Sequence, residues 1–173
     1  GVDTPINPNS WLISEAANIY GYNVELSSEL LAKAGFFDNN EDGILEDEQG
    51  NKLSFKLITT PSNLYRRRIA EMIREDLKVI GVEIVLNFDL NSGQNLEGIL
   101  YSGDYDIALL GWKMSVIPEL SFIFHSSQNL YNNFIGYSNA NMDSLLISAN
   151  NCITKEDKLM AYNDLQKLIT KDL

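Results

Sequence analysis

The chain is poor in the residues that most enzymatic and covalent chemistry needs. One cysteine, Cys152, occurs in 173 residues, so an internal disulfide is excluded. Cys152 falls between two predicted helices without a histidine nearby, and a reactive thiolate needs an electropositive partner. A single histidine, His125, means that any Ser-His-Asp or Cys-His site must use it. No GxGxxG, P-loop, CxxC or HExxH pattern is present. Bases are scarce, 13 against 24 acids for a net charge of −11, which disfavours nucleic acid because phosphate binding needs Lys and Arg to displace counterions. No apolar run approaches the roughly 18 residues of a spanning helix, and no signal peptide is visible. The chain opens abruptly at Gly1 and stops at Leu173 inside a helical pattern, so both ends read as cut.

What is present is a change of hydrophobic period. In LSFKLITT, Leu53, Phe55 and Leu57 alternate with Ser54 and Lys56, the pattern of a half-buried strand. Ile69, Met72, Ile73, Leu77 and Ile80 then form one helical stripe, with Ser62 as N-cap and Gly81 as stop. Val82, Ile84, Leu86 and Phe88 alternate again, and DYDIALLGW follows after a short helix. Ile107–Leu110 is apolar without alternation, as expected of a central strand. We therefore expect strands over Leu53–Thr60, Val82–Asp89 and Tyr105–Gly111 in one sheet, with Leu64–Ile80 packed across it. This is a βαβ unit, whose crossover is nearly always right-handed.

Around this core the reading is simpler. Residues 1–26 are loop-like, with Pro5, Pro8 and several Asn, and Trp11 is the expected buried anchor. Ser27 is expected to cap a short helix that Gly35 closes. After Trp112 a short helix within Pro118–His125 precedes an Asn- and aromatic-rich loop over Tyr131–Asn139. Met142, Leu145, Leu146 and Ala149 mark a further helix, and Thr154 with Asp157 opens the last one, carrying Leu159, Tyr162, Leu165 and Ile169. Charge is uneven: residues 1–50 hold ten acids and one base, whereas residues 51–90 hold five acids and seven bases. The run Arg66-Arg67-Arg68 points three ways around a helix and reads as a solvated face.

Three constellations could carry chemistry. Asp38, Asn40 and Asp42, before Gly43, match the first half of a calcium loop, but Gln49 stands where a bidentate Glu belongs. A self-satisfied turn and a calcium-occupied turn both fit, since Asx side chains bond local backbone in either case. His125 lies beside Ser126 and Ser127, which leaves a hydrolase as a formal alternative to a structural histidine. Ligands of open α/β sheets sit outside the carboxyl ends of the strands. Here those ends carry Thr60 and Asn63 on one side and Trp112 on the other, with Asn133 and Phe134 as a second wall. Amide and aromatic groups of this kind suit a binding cleft, although Trp112 and Phe134 could equally be core.

The runs AGFFDNNEDGILEDEQGNKLSFKLITT, RRRIAEMIREDLKVIGVEIVL, DYDIALLGW and NNFIGYSNANMDSLL resemble, in order and spacing, the C-terminal lobe of the peptide- and nickel-type solute-binding proteins of ABC transporters. The resemblance covers about Pro5 to Ile169. It implies a type II periplasmic-binding-protein-like α/β lobe with a mixed sheet, a βαβ core and flanking helices. It also implies that residues 1–173 are one lobe of a longer protein lacking its N-terminal lobe, with residues 1–26 as the crossover. The implied function is extracytoplasmic solute binding for import, periplasmic or as a cell-surface lipoprotein, with a membrane permease as partner. An oligopeptide stands first among the solutes. The resemblance places Trp112 beside ligand. Peptide binders often carry an acid three positions beyond that Trp to pair with the peptide's amino terminus, but GWKMS puts Ser115 there. The ligand is thus open among peptides, other amines, sugars and metal chelates. The alternative from another class is a calcium-stabilised extracellular interaction module centred on Asp38–Asp42.

Overall fold

A computed structural model describes residues 4–14, 21–88, 96–128 and 132–172. The expected strand end at Asp89 and the loop start at Tyr131 lie outside these. The chain divides into two compact units, Tyr22–Gly111 and the combination of Gly1–Gly21 with Trp112–Leu173.

The first of these units opens with α1 (Val24–Lys33). Its cap is Asn23, whose side chain accepts from the Leu26 amide at 2.8 Å, rather than Ser27, which lies inside the helix. Gly35 ends it with φ +91, a left-handed backbone that costs glycine nothing, and the Phe36 amide returns to the Leu31 carbonyl. Strand β1 (Ser54–Thr59), helix α2 (Leu64–Lys78) and strand β2 (Glu83–Asn87) follow as the expected βαβ unit. Helix α3 (Leu96–Ser102) leads to β3 (Ile107–Leu109). The sheet is parallel with order β2-β1-β3, and among the described residues antiparallel pairing is confined to the bridges Phe37–Glu46 and Glu46–Lys52.

Two expectations are corrected here. The central strand is β1, not β3: Leu57, Ile58 and Thr59 are all fully buried, whereas Ile107–Leu109 are half-buried. Absence of alternation reports partial cover on both faces, and it does not count hydrogen-bonded neighbours. The buried face of α2 is also rotated. Ala70 is fully buried, with Ile73, Leu77 and Ile80 packed beside it on Leu57, Val82 and Ile84. Ile69 and Met72 are instead about half exposed, at 45% and 50%. A stripe of large side chains overlooks alanine, and it is the small Ala70 that lets helix and sheet approach closely.

In the other unit, α4 (Ser121–Phe124) and a 3₁₀ turn (Ser126–Gln128) precede α5 (Ala140–Asn151) and α6 (Lys155–Asp172). Asn139 caps α5, and the Thr154 hydroxyl accepts from the Asp157 amide at 3.1 Å, the expected capping pair of α6. The core joins Leu120, Phe124, Met142, Leu146, Tyr162, Leu165 and Ile169 to Ile6 and Leu12. Those last two, not Trp11, anchor the N-terminal stretch; Trp11 is half-buried with the Lys155 ammonium 5.0 Å from its ring centre. Leu159 is exposed at the edge of α6. Among the described residues no helix is long and apolar enough to cross a membrane.

Candidate functional site

Trp112 stands in an aromatic group of its own unit. Its ring meets Phe122 edge-on at 5.1 Å between centroids and lies nearly parallel to Phe134 at 6.4 Å, with a 13° interplanar angle. It still leaves 40% of its surface to solvent. Two aromatic neighbours hold the indole in place while one side stays available, which suits a contact surface of low conformational entropy.

Asn133 is placed differently from Phe134. It is 1% exposed, its Nδ2 donates to the carbonyls of Tyr137 at 2.7 Å and His125 at 3.3 Å, and its Oδ1 accepts from the Tyr137 amide. It therefore shapes the loop that carries Phe134. Ser115 is exposed, donates its hydroxyl to the Ile117 carbonyl, and lines a recess of about 290 Å³ with Asn7, Trp11, Met114 and Pro118.

In the sheet-bearing unit, Thr60 and Asn63 flank the turn from β1 into α2. Asn63, not Ser62, is the N-cap, accepting from the Arg66 amide at 3.0 Å. The Thr60 hydroxyl accepts from Arg66 Nη1 at 3.0 Å. The three arginines separate as their helical spacing requires: Arg67 stacks on Phe88 at 4.9 Å, Arg68 pairs with Glu71 at 3.2 Å, and Arg66 turns back to the strand ends. The solvated-face reading missed Arg66, and no local signal could have found it, since its other neighbour is the distant Gly111. Phe122 was missed as well, because it sits outside the Asn-rich loop.

The acidic turn also takes shape in this unit. Asp38 accepts from the amides of Asp42 and Gly43, Asn40 from that of Asp42, and Asp42 from that of Ile44. Glu46, absent from the sequence reading, is 3% exposed and accepts from the Asn39 amide and the Asn40 side chain. Ligand atoms of Asp38, Asp42 and Glu46 lie within 4.8 Å of one another. Lys52 sits on Asp42, and this bond outweighs burial and holds the Asp42 carboxyl below its ordinary value.

At His125 the hydrogen bonds do not follow a catalytic triad. Its Nδ1 accepts from the Ser127 amide at 3.1 Å, and Asp143 receives both the hydroxyl and the amide of Ser126, at 2.6 and 2.9 Å. Asp143 thus orients Ser126 directly, whereas a triad needs the acid on the ring's N–H and the ring on the serine.

Comparison with known proteins is consistent with this architecture. Residues 2–133 match the family model for bacterial extracellular solute-binding proteins, family 5 middle. The chain is 33% identical over 171 residues to the oligopeptide-binding protein AppA of Bacillus subtilis, covering 97% of this chain and 31% of that protein. It superposes on the structure of that AppA in complex with a nonapeptide with a TM-score of 0.83 and 31% identity, covering 99% of this chain and 34% of the other. It is also similar to NikZ from Campylobacter jejuni in complex with Ni(L-His), with a TM-score of 0.78 and 27% identity over 94% of this chain and 33% of that one. The chain thus spans about a third of the length of these relatives.

Proposed function

Because the chain belongs to family 5 of the bacterial extracellular solute-binding proteins, we propose that it forms one lobe of a longer two-lobed binding protein. That protein captures a solute outside the cytoplasm, in the periplasm or as a surface lipoprotein, and delivers it to an ABC permease. An oligopeptide is the preferred solute. A similar protein is named for oligopeptide binding and carries a nonapeptide in its structure. The family is one of binding proteins, and the hydrogen bonds around His125 favour a structural role over hydrolysis.

The observation that carries the site is the exposed, stacked Trp112. A fixed aromatic face serves a ligand of varied side chains, because apolar contact tolerates variation while backbone amides supply direction. Within the unit of Trp112, Phe134 braces the indole, Asn133 sets its loop, and Ser115 offers a neutral partner; Thr60 and Asn63 are proposed by themselves as ligand contacts of the sheet-bearing unit. Closure of two lobes over the ligand would then complete the enclosure. Replacing Trp112 by Ala in the full-length protein should weaken nonapeptide binding at least about tenfold, equivalent to ~1.4 kcal/mol, without loss of fold. Unchanged affinity, or unfolding on substitution, would return Trp112 to a purely structural role.

A second proposal, calcium at the Asp38–Asp42 turn with Glu46 as a third carboxylate, is favoured by the convergence of those three acids. Excess calcium at about 100 Kd should raise stability by roughly 2.7 kcal/mol. Identical melting in millimolar calcium and in chelator removes it and leaves Lys52 as the turn's counterion.

A further inference from the structure

The recess beside Ser115 is built from two short segments of one unit. Asn7, Asn9, Ser10 and Trp11 form one wall, within a turn where the Ser10 amide donates to the Asn7 carbonyl at 2.8 Å and the Ile13 amide to the Ser10 carbonyl at 3.2 Å. Ile6 and Leu12, both buried in the core, hold this turn in place. The other wall runs from Met114 to Pro118. Pro118 is buried, and its carbonyl accepts from the Tyr162 hydroxyl on α6, whereas Val116 is 80% exposed.

The lining combines neutral polar groups with apolar surface. Asn7 Oδ1 accepts from the Asn9 amide at 2.9 Å, and Ser10 Oγ accepts from the Leu12 amide at 3.2 Å. Among the described residues, the Asn7 Nδ2, the Asn9 carboxamide, the Ser10 hydroxyl proton and the Trp11 indole N–H have no protein partner. No ionisable side chain lines the recess. The Lys155 ammonium lies 5.0 Å from the Trp11 ring centre, and Lys113 precedes Met114 in the chain. Glu119 follows Pro118, but its Oε1 is taken by the Ser121 amide at 2.8 Å and the Asn150 side chain at 3.2 Å.

A free ammonium seated here would lose water without gaining a carboxylate, and burying an unpaired charge is costly. An acylamido group has the matching chemistry. It brings a carbonyl for the N–H donors, an N–H for a carboxamide oxygen, and an apolar acyl carbon for Met114, Val116 and the indole. A volume of about 290 Å³ suits one end of a solute rather than a whole nonapeptide. We propose that this recess receives an uncharged, acylated end of the solute and disfavours a free amino terminus. The assignment rests on the solute-binding reading above and adds to it the charge state of the ligand.

The test uses the full-length protein and two nonapeptides of one neutral sequence, both C-terminal amides, one with a free amino terminus and one N-acetylated. Calorimetry at about pH 6, where an α-amino group is protonated, gives their affinities for the unmodified protein, Asn9→Asp and Trp11→Phe. The acetylated peptide should bind the unmodified protein at least about tenfold more tightly. Asn9→Asp puts a carboxylate into the recess at an exposed position, and should cancel or reverse that preference. Trp11→Phe keeps a ring for Lys155 and removes the indole N–H, so it should weaken the acetylated peptide more than the free amine. If Trp11→Phe does not fold, Asn9→Asp decides. Equal affinity of the two peptides for the unmodified protein, or a preference untouched in Asn9→Asp, overturns the assignment and leaves peptide binding intact. Binding of neither peptide overturns both.

Discussion

Asp143 shows how one neighbour can reverse the effect of burial on a carboxyl group. Burial alone raises it, but the Ser126 hydroxyl and amide outweigh that and hold it below its ordinary value. The unfolded chain then takes up the proton first as acid is added. The resulting stabilisation is complete above the ordinary carboxylate range, near pH 4, and is lost as the pH falls through the lowered folded value. In Ser126→Ala, Asp143 should titrate closer to its ordinary value by NMR. The stability gap between the variant and the unmodified protein should be present at pH 7 and shrink on acidification in chemical denaturation. A gap independent of pH would mean that the hydroxyl contributes only packing. The same scale explains the two asparagines expected in the site. A short amide satisfies backbone groups close to itself, so Asn63 caps α2 and Asn133 closes a loop, and both shape what their neighbours present.

Helix α2 carries the clearest test at the level of an element. Its buried face runs through Ala70, Ile73 and Leu77, against Leu57 on the central strand. Truncating the fully buried Leu57 to Ala should cost about 2–5 kcal/mol, as for other closed core sites. Met72→Ala, on the half-exposed flank, should stay within about 0.5 kcal/mol. Reversal of that order in urea denaturation would restore the stripe read from large side chains alone. The existence and order of the strands and of α2 were legible because period 2 and period 3.6 differ sharply. The rotation of α2 by about one residue was not, because Ala70 counts little on a hydropathy scale and much at a close-packed interface.

At the scale of the whole chain, residues 4–14 meet α6 within one unit through the apolar contacts of Ile6 and Leu12 and through a buried amide. Gln166 on α6 is fully buried; its Oε1 accepts from Thr4 Oγ1 and the Ser14 amide, and its Nε2 donates to the Leu12 and Tyr162 carbonyls. Gln166→Leu keeps the volume but strands these partners away from water, and should cost at least about 2 kcal/mol. A near-neutral result in chemical denaturation would show that residues 4–14 hold their place by Ile6 and Leu12 alone.

Residue order by itself determined the α/β class, the βαβ core, the glycine that closes α1, the cap of α6 and the acidic turn. These are local properties: repeat period, capping side chains within four residues, and a turn's own Asx groups. Only the tertiary structure decided that β1 is central, that Gln166 binds the N-terminal stretch, that Glu46 joins the acidic turn, and that Arg66 lies against Gly111. Each of these joins groups that no helical or strand spacing relates, and their proximity is set by how strands pair and layers pack.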